Sequence, residues 1–270
     1  MRSCVRLVFL LACLAPTFSA QALVIGITEG VTYRATDAEI EGKFDGISKL
    51  IASATKQPVK VQVISSYNNL REALKSGQID LAFIHPAHVA MEAIKNGSYR
   101  TVGWTAGFTE YKVSFLCKDP NPIDNWSSVT GKSFVTPDSD SITAVMTRAM
   151  LRENKIKTES VKLQTTRYQD AVPFYVEHGF AAYGATASAS VTKDWLAKGG
   201  KTCAQSRGMP IKQWIASRKL DAATMTTISN TLLAMDQTEA GRRALATSSY
   251  KGFITPSPDL EATLMSWLGL

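Results

Sequence analysis

Short apolar segments alternate with helical segments through the first hundred residues, and this alternation constrains the fold more than any other feature of the sequence. The predicted order is strand 23–28, helix from residue 36, strand 59–64, helix 68–76, strand 80–84 and helix 87–95. The strands are recognised by short apolar runs and the helices by apolar residues at helical spacing. A β-α-β-α-β-α order is typical of a parallel sheet covered by helices.

The helix boundaries in this region carry their own signals. Thr36 and Glu39 have the spacing of a capping box, which predicts that the first helix opens at Thr36. Ile40, Phe44 and Ile47 then follow at helical intervals. Gly77 is the predicted stop of the second helix.

The second half of the chain continues the alternation with shorter elements. Strands are predicted over 111–118, 131–136, 161–165, 180–183 and 202–206, and helices over 141–154, 169–177 and 190–197. The strand at 202–206 is predicted to be the last, because the chain from Pro210 onwards is predicted to be helical. Its helices are expected over 221–235, 238–245 and 259–268. The pattern therefore predicts an α/β protein with two units and a helical tail.

The N-terminus has the pattern of a secretory signal peptide. Two arginines precede an apolar stretch over 7–14, and small residues stand at Ala20 and Ala22. We predict cleavage after Ala22, so that residues 1–22 form a signal peptide and the mature chain is exported. A competing interpretation is a lipid anchor at Cys13, which would leave an unusually short apolar stretch.

Charge and ligand patterns argue against nucleic-acid and metal binding. The chain has 30 basic and 23 acidic residues, a formal charge of +7, but the basic residues form no run of five or more. The three histidines, His85, His88 and His178, have no cysteine or carboxylate partners at ligand spacing. We therefore expect no nucleic-acid partner and no metal.

Export changes the interpretation of the cysteines. Removing the leader leaves Cys117 and Cys203, and an even pair in an oxidising compartment is a disulfide candidate. The alternative is a pair of buried thiols in separate strands.

Four segments in order carry a resemblance to a known family. The strand and polar loop at the start of the mature chain are followed by 76–82 (SGQIDLA), 111–123 (YKVSFL, then KDPNPI at 118–123) and 131–141 (GKSFVTPDSDS). Together they resemble the periplasmic phosphonate/phosphite/phosphate-binding proteins of ABC importers, over about residues 23–255.

The resemblance implies a type II periplasmic binding fold. Such proteins have two α/β lobes, each a mainly parallel sheet flanked by helices, joined by two crossover strands. The crossovers are expected near 107–111 and 206–210. The first lobe is then expected over 23–107 and the second over 108–208, with 209–270 returning to the first lobe.

The resemblance also implies a function. We expect a monomeric periplasmic protein, without a cofactor, that captures a small oxyanion in the interlobe cleft and delivers it to an ABC permease in the inner membrane. Two alternatives stay open: a receptor that reports its ligand to a membrane sensor kinase, and a ligand without phosphorus. No G-x-S-x-G, P-loop or H-E-x-x-H motif is present in the sequence, so we do not expect an enzyme.

Ser139, Ser141 and Thr143 are the first candidates for the ligand site. They stand where a strand passes into a helix, and hydroxyls beside helix amides suit an oxyanion. The alternative is that Ser139 or Asp140 merely caps the helix. Asp140 is adverse to an anion unless its carboxylate points away or meets a cation.

The first lobe contributes candidates at the ends of two predicted strands. Thr28, Glu29 and Tyr33 follow the first strand, and His85 follows the third. Ligands of open α/β sheets bind beyond the carboxyl ends of the strands, which is where these residues are expected. Glu29 is a candidate partner for an amine or a solvated acid, and His85 a donor to an anion or a packed residue.

Three tyrosines complete the predicted site. By resemblance Tyr111 lies at the first crossover, where its ring reaches the ligand or packs the hinge, and Tyr168 and Tyr183 are expected to face the cleft from the second lobe. The family's acidic contacts to an aminoalkyl group fall near Ala187 and Met209. Neither residue is acidic, which disfavours a specialist for 2-aminoethylphosphonate.

Overall fold

The computed structural model describes residues 22–30, 35–118, 123 and 125–270, which form two β-sheets flanked by helices. The strands are β1 (Leu23–Thr28), β2 (Val59–Val63), β3 (Leu81–Ile84), β4 (Tyr99–Thr105), β5 (Ser114–Cys117), β6 (Ser133–Thr136), β7 (Lys162–Thr165), β8 (Tyr183–Thr186), β9 (Lys201–Gln205), β10 (Gln213–Ser217) and β11 (Phe253–Ile254). The helices are α1 (Asp37–Thr55), α2 (Tyr67–Ser76), α3 (Ala87–Lys95), α4 (Ile142–Glu153), α5 (Val172–Glu177), α6 (Ala189–Ala197), α7 (Ala222–Leu233), α8 (Glu239–Leu245) and α9 (Pro258–Leu268). Apart from Ala22, the predicted signal peptide lies outside the described residues.

The first sheet, with its covering helices, is called the first lobe. Its strand order is β11-β4-β10-β3-β1-β2. β1 pairs in parallel with both β2 and β3, whereas β10 is antiparallel to β3 and β4. The carboxyl ends of β1, β2 and β3 therefore meet at one edge.

The second sheet, called the second lobe, repeats this plan with the order β7-β6-β8-β5-β9. β6 pairs in parallel with β7 and β8, and β5 is antiparallel to β8 and β9. The predicted two-lobed α/β fold is confirmed. The parallel pairing is confined to the three strands at one side of each sheet, and antiparallel strands extend the other side.

Two segments cross between the lobes. One runs from β4 to β5 and the other from β9 to β10, and the predicted boundaries at 107 and 208 fall within them. The crossings pair with each other at Tyr111 and Met209, whose backbones exchange two hydrogen bonds of 3.0 Å.

A disulfide joins Cys117 at the end of β5 to Cys203 in β9, with Cα atoms 6.0 Å apart. This confirms the predicted bridge. Both cysteines belong to strands that adjoin the crossings, and Cys117 lies at the end of β5 away from its crossing, so the bridge ties β5 to β9 within the second lobe.

The last helices divide between the lobes. α7 and α8 pack against α1 in the first lobe, whereas α9 contacts both α3 and α4. Leu264 and Leu268 of α9 are buried in an apolar cluster that contains Met91 of α3 as well as residues of the second lobe. The Arg152 guanidinium of α4 also donates to the Trp267 carbonyl at 3.0 Å. α9 therefore spans the two lobes.

Three strands, β4, β10 and β11, were not predicted. The expectation that 202–206 is the last strand is wrong, because β10 follows it and lies between β3 and β4. β4 was also missed. Among the described residues, no helix is both long and apolar enough to cross a membrane.

Candidate functional site

A cleft of about 920 Å³ lies between the two lobes, at the carboxyl ends of their parallel strands. The first lobe contributes the residues after β1 and β2 and those at the starts of α1 and α2, and the second lobe contributes the loops after β6 and β7. Its walls are formed by residues 28–30, Ala35, Thr36, Glu39, Ile40, 64–68, 138–140, Arg167 and Tyr168.

Three helices begin at this cleft. The N-caps of α1, α2 and α4 are Thr36, Ser66 and Ser141, and each hydroxyl accepts a hydrogen bond from an amide in the first turn of its own helix. The capping box predicted at Thr36 and Glu39 is present. The remaining first-turn amides have no partner within their helices, and each helix brings the positive end of its dipole to the cleft.

The three predicted hydroxyls of the second lobe lie at different depths. Ser139 is exposed on the cleft wall. Ser141 is buried and accepts from the Ala144 amide at 3.2 Å, so the helix cap is neither Ser139 nor Asp140. Thr143 is fully buried and 3.4 Å from the Tyr111 hydroxyl, beneath the cleft.

A buried glutamine holds this part of the second lobe together. The Gln169 side-chain amide donates to the Thr143 hydroxyl at 3.1 Å. Its carbonyl oxygen accepts from the Thr186 hydroxyl at 2.7 Å and from the Ala187 amide at 2.9 Å. Gln169 directly follows Tyr168, so the network fixes the loop that carries Tyr168 to the cleft. Sequence reasoning missed Gln169, because a buried amide leaves no local pattern.

Asp140 lines the cleft but is paired with the opposite lobe. The Arg71 guanidinium of α2 donates to both of its carboxylate oxygens, the longer bond being 3.0 Å. The His88 Nε2 lies 3.4 Å from the same carboxylate. Burial would raise the pKa of Asp140, but the hydrogen bonds from His88 and Arg71 outweigh it and hold the pKa well below its usual range. The Asp140 charge, predicted to be adverse to an anion unless it meets a cation, therefore meets the Arg71 guanidinium.

The negative charge of Glu29 is compensated by neighbouring groups in a buried cluster at the end of β1. The Lys212 ammonium donates to its carboxylate at 2.7 Å, the Tyr250 hydroxyl donates to the other oxygen, and the Lys43 ammonium lies 3.6 Å away. Burial opposes ionisation, but the charge of Lys212 and these hydrogen bonds lower the pKa of Glu29 below its usual value. The carboxylate is thus already occupied by protein groups.

Thr28, the last residue of β1, and His85, which directly follows β3, lie next to this cluster. Thr28 is buried, and its carbonyl accepts from the His85 amide at 2.9 Å. The His85 ring hydrogen-bonds to the Glu29 backbone and lies 6.2 Å from the Tyr111 ring, centroid to centroid. Burial, and secondarily the charge of Lys212, lower the pKa of His85 to about 3, so its imidazole is neutral at neutral pH.

Buried His85 is expected to make the protein less stable in mild acid. In the unfolded chain its pKa is about 6.5, so below that pH the unfolded chain takes up a proton that the folded chain refuses until about pH 3. The free energy of unfolding then falls by up to about 1.4 kcal/mol per pH unit through this one residue. Urea unfolding at pH 7, 6 and 5 should show a shallower pH dependence in His85→Gln. His178→Gln, at an exposed histidine, should behave as the wild type; equal slopes in all three proteins would contradict the assignment.

The remaining predicted aromatic residues separate into different environments. Tyr168 lies on the cleft wall beside Arg167, whose guanidinium carbon is 5.2 Å from the centre of the tyrosine ring. Tyr183 packs inside the second lobe, 4.8 Å from the Phe134 ring. Tyr33 lies outside the described residues.

Comparison with known proteins adds a family and a fold. Residues 30–260 match the family described as "ABC transporter, phosphonate, periplasmic substrate-binding protein". No curated protein sequence matches the chain significantly.

Solved structures share the fold at low sequence identity. XAC2383 from Xanthomonas citri bound to ATP has a TM-score of 0.76 and 14% identity, covering 92% of this chain and 96% of that one. PhnD1 from Prochlorococcus marinus in complex with methylphosphonate has a TM-score of 0.69 and 14% identity, covering 91% and 96%. A binding protein component of an ABC phosphonate transporter from Pseudomonas aeruginosa has a TM-score of 0.65 and 12% identity, covering 91% and 85%.

Proposed function

The chain belongs to the phosphonate-binding family of periplasmic substrate-binding proteins of ABC transporters, and we propose on that premise that its cleft captures an oxyanion of the phosphonate, phosphite or phosphate class. As a member of this family it is a periplasmic binding protein rather than an enzyme, and it captures a solute for an ABC importer. The chemical class of the solute, the residues that hold it, the monomeric state and cleavage after Ala22 are the proposal.

The convergence of three helix N-termini on one cleft carries the proposal. Amides and dipole ends at the starts of α1, α2 and α4 favour an anion at the point where they meet. A phosphonate presents a negative, tetrahedral group, which such a place would suit.

Three of the four acidic residues on the described cleft wall are paired or capped, and the fourth, Asp138, accepts from the Asp140 amide at 2.8 Å. Glu29 is paired with Lys212, and Asp140 with Arg71. Glu39 is engaged in the capping box at the start of α1. With these carboxylates paired or capped, Arg167 supplies a positive side chain on the wall.

We propose distinct roles for the residues around the ligand. The hydroxyls of Ser139 and Tyr168 donate hydrogen bonds to the oxyanion from the second lobe, and Arg167 supplies a positive charge. Ser141 and Thr143 act through the start of α4 rather than through their hydroxyls, because both side chains are buried and hydrogen-bonded within the lobe. Tyr111 and the second crossing form the hinge.

Two relatives in fold suggest the range of ligands to try. PhnD1 was solved with methylphosphonate and XAC2383 with ATP, so one fold accommodates both a small phosphonate and a nucleotide triphosphate. We propose that the shared element is the phosphorus oxyanion, and the organic part is left for experiment to identify.

A thermal-shift panel on protein refolded free of ligand tests the proposal. The panel contains methylphosphonate, phosphite, phosphate, ATP, sulfate, an alkanesulfonate and amino acids. A phosphorus oxyanion at about 100 times its Kd should stabilise the protein by about 2.7 kcal/mol, which corresponds to roughly 5–10 °C in Tm for a chain of this size. Arg167→Met should reduce that shift, whereas Arg243→Met, at an exposed arginine of α8, should leave it unchanged. A shift with a solute lacking phosphorus, and none with the oxyanions, would overturn the proposed class.

A further inference from the structure

One ion pair joins the two lobes directly across the cleft. Arg71 lies on α2 of the first lobe, and Asp140 lies in the loop before α4 of the second. Two guanidinium nitrogens donate to two carboxylate oxygens, which is the bidentate geometry of the stronger arginine–carboxylate pairs.

The arginine is held in place from its own lobe. Its Nε donates to the Glu92 carboxylate at 2.7 Å and its Nη2 at 3.0 Å, and Glu92 belongs to α3 of the first lobe. Fixing the guanidinium in this way reduces the side-chain entropy lost when it meets Asp140. In partly exposed ion pairs, this loss of entropy usually offsets most of the electrostatic gain. The side chains of Arg71 and Asp140 are 30% and 35% exposed, so water screens the pair only in part.

Separation of the lobes affects the two partners unequally. Arg71 keeps Glu92, because both belong to the first lobe, whereas Asp140 loses Arg71 and His88 together. An unpaired carboxylate is then left at the start of α4, where the proposed oxyanion docks. Closure of the lobes and acceptance of an anion by α4 are thereby linked.

We propose that Arg71 and Asp140 form a latch that stabilises the form in which both lobes surround the ligand, and that they determine affinity without touching it. The effect of the latch on affinity rests on the proposed function, which gives the class of ligand. Its effect on closure of the two lobes does not. A ligand that contacts both lobes gains affinity from any group that favours closure. Arg71 acts in addition by cancelling the charge of Asp140 beside the anion.

The affinity of Asp140→Asn for methylphosphonate separates the latch from simple repulsion. If the carboxylate merely repels the anion, removing its charge tightens binding. If it is a latch, Asp140→Asn weakens binding by about three- to tenfold, and Arg71→Met weakens it more, because that variant loses the latch and leaves the Asp140 carboxylate without its guanidinium partner. Glu239→Gln is the matched control and should stay close to the wild type, because Glu239 pairs with Arg243 on the exposed surface of α8 and not across the cleft. Tighter binding by Asp140→Asn would overturn the latch.

Interlobe distance gives a second readout that needs no ligand. Spin labels at Lys49→Cys in α1 and Lys162→Cys in β7, both exposed, report the separation of the lobes. Arg71→Met, Asp140→Asn and the double variant should shift the distribution to longer distances by similar amounts, since each breaks the same contact. Distributions identical to the wild type would overturn the latch. If the wild type binds none of the oxyanions, the proposed function fails while the distance measurement still decides the latch.

Discussion

Replacing Lys212 with methionine is expected to lower the free energy of unfolding by about 3 kcal/mol, a large share of the stability of an ordinary protein. Lys212 and Glu29 are each 8% exposed, and their ion pair is 2.7 Å long. Lys212→Met leaves the Glu29 carboxylate buried without its main partner. The cost is at the lower end of the range for broken buried pairs, because Lys43 lies 3.6 Å from the same carboxylate.

Three further variants test this explanation by urea unfolding. Lys43→Met should lose less than about 1 kcal/mol, because the Lys43 side chain is 40% exposed. The double variant Glu29→Gln with Lys212→Met should be more stable than Lys212→Met alone, since no buried charge is left unpaired. If Lys212→Met is as stable as the wild type, the cluster does not hold the end of β1.

The same substitution should also affect the cleft. Glu29 lines the cleft wall, so removing Lys212 leaves beside the ligand a negative charge that has lost its main partner. We expect Lys212→Met to bind methylphosphonate more weakly than the double variant does. Stability and binding are linked here because the buried pair that secures β1 also removes a charge from the site.

The elements predicted well from sequence are those specified by nearby residues. The first helix has its capping box at Thr36 and Glu39, and the second ends at Gly77 in the left-handed conformation, with φ of 70°. Each signal lies within a few residues of the boundary it determines. The parallel strands β1, β2 and β3 follow the same local logic.

β10 shows why the rest of the fold was harder to predict. Gln213–Ser217 is a five-residue segment beside Lys212 and Arg218, and such a short segment does not separate strand from helix by periodicity. Its state is decided by β3 and β4, with which it pairs across more than a hundred residues. β4 is likewise held by β10 and β11.

The residues of the cleft were likewise predicted where the signal is local and missed where it depends on a distant partner. Thr28, Ser139 and Tyr168 line the cleft, as their positions after predicted strands suggested. Arg71 was missed, because its partner Asp140 is 69 residues away and nothing beside Arg71 distinguishes it from a solvated helix residue. Sequence reasoning therefore identified the adverse charge of Asp140 but not the arginine that neutralises it.

Replacing Cys117 and Cys203 together with alanine is expected to lower the free energy of unfolding by about 4 kcal/mol. The bridge closes a loop with a sequence separation of 86 residues. In the chain-entropy model, cross-linking a loop of that size lowers the entropy of the unfolded chain and so stabilises the folded state by about 4 kcal/mol. The strands it joins, β5 and β9, already pair by hydrogen bonds, so the folded state should persist without the bridge.

Urea unfolding should give a lower midpoint for the double variant, and reductant should lower the midpoint of the wild type but not of the variant. Because β9 is the edge strand next to the second crossing, hydrogen exchange in β9 should increase in the variant more than in β6. Equal unfolding free energies with and without the bridge would mean that strand pairing alone holds β5 and β9 together.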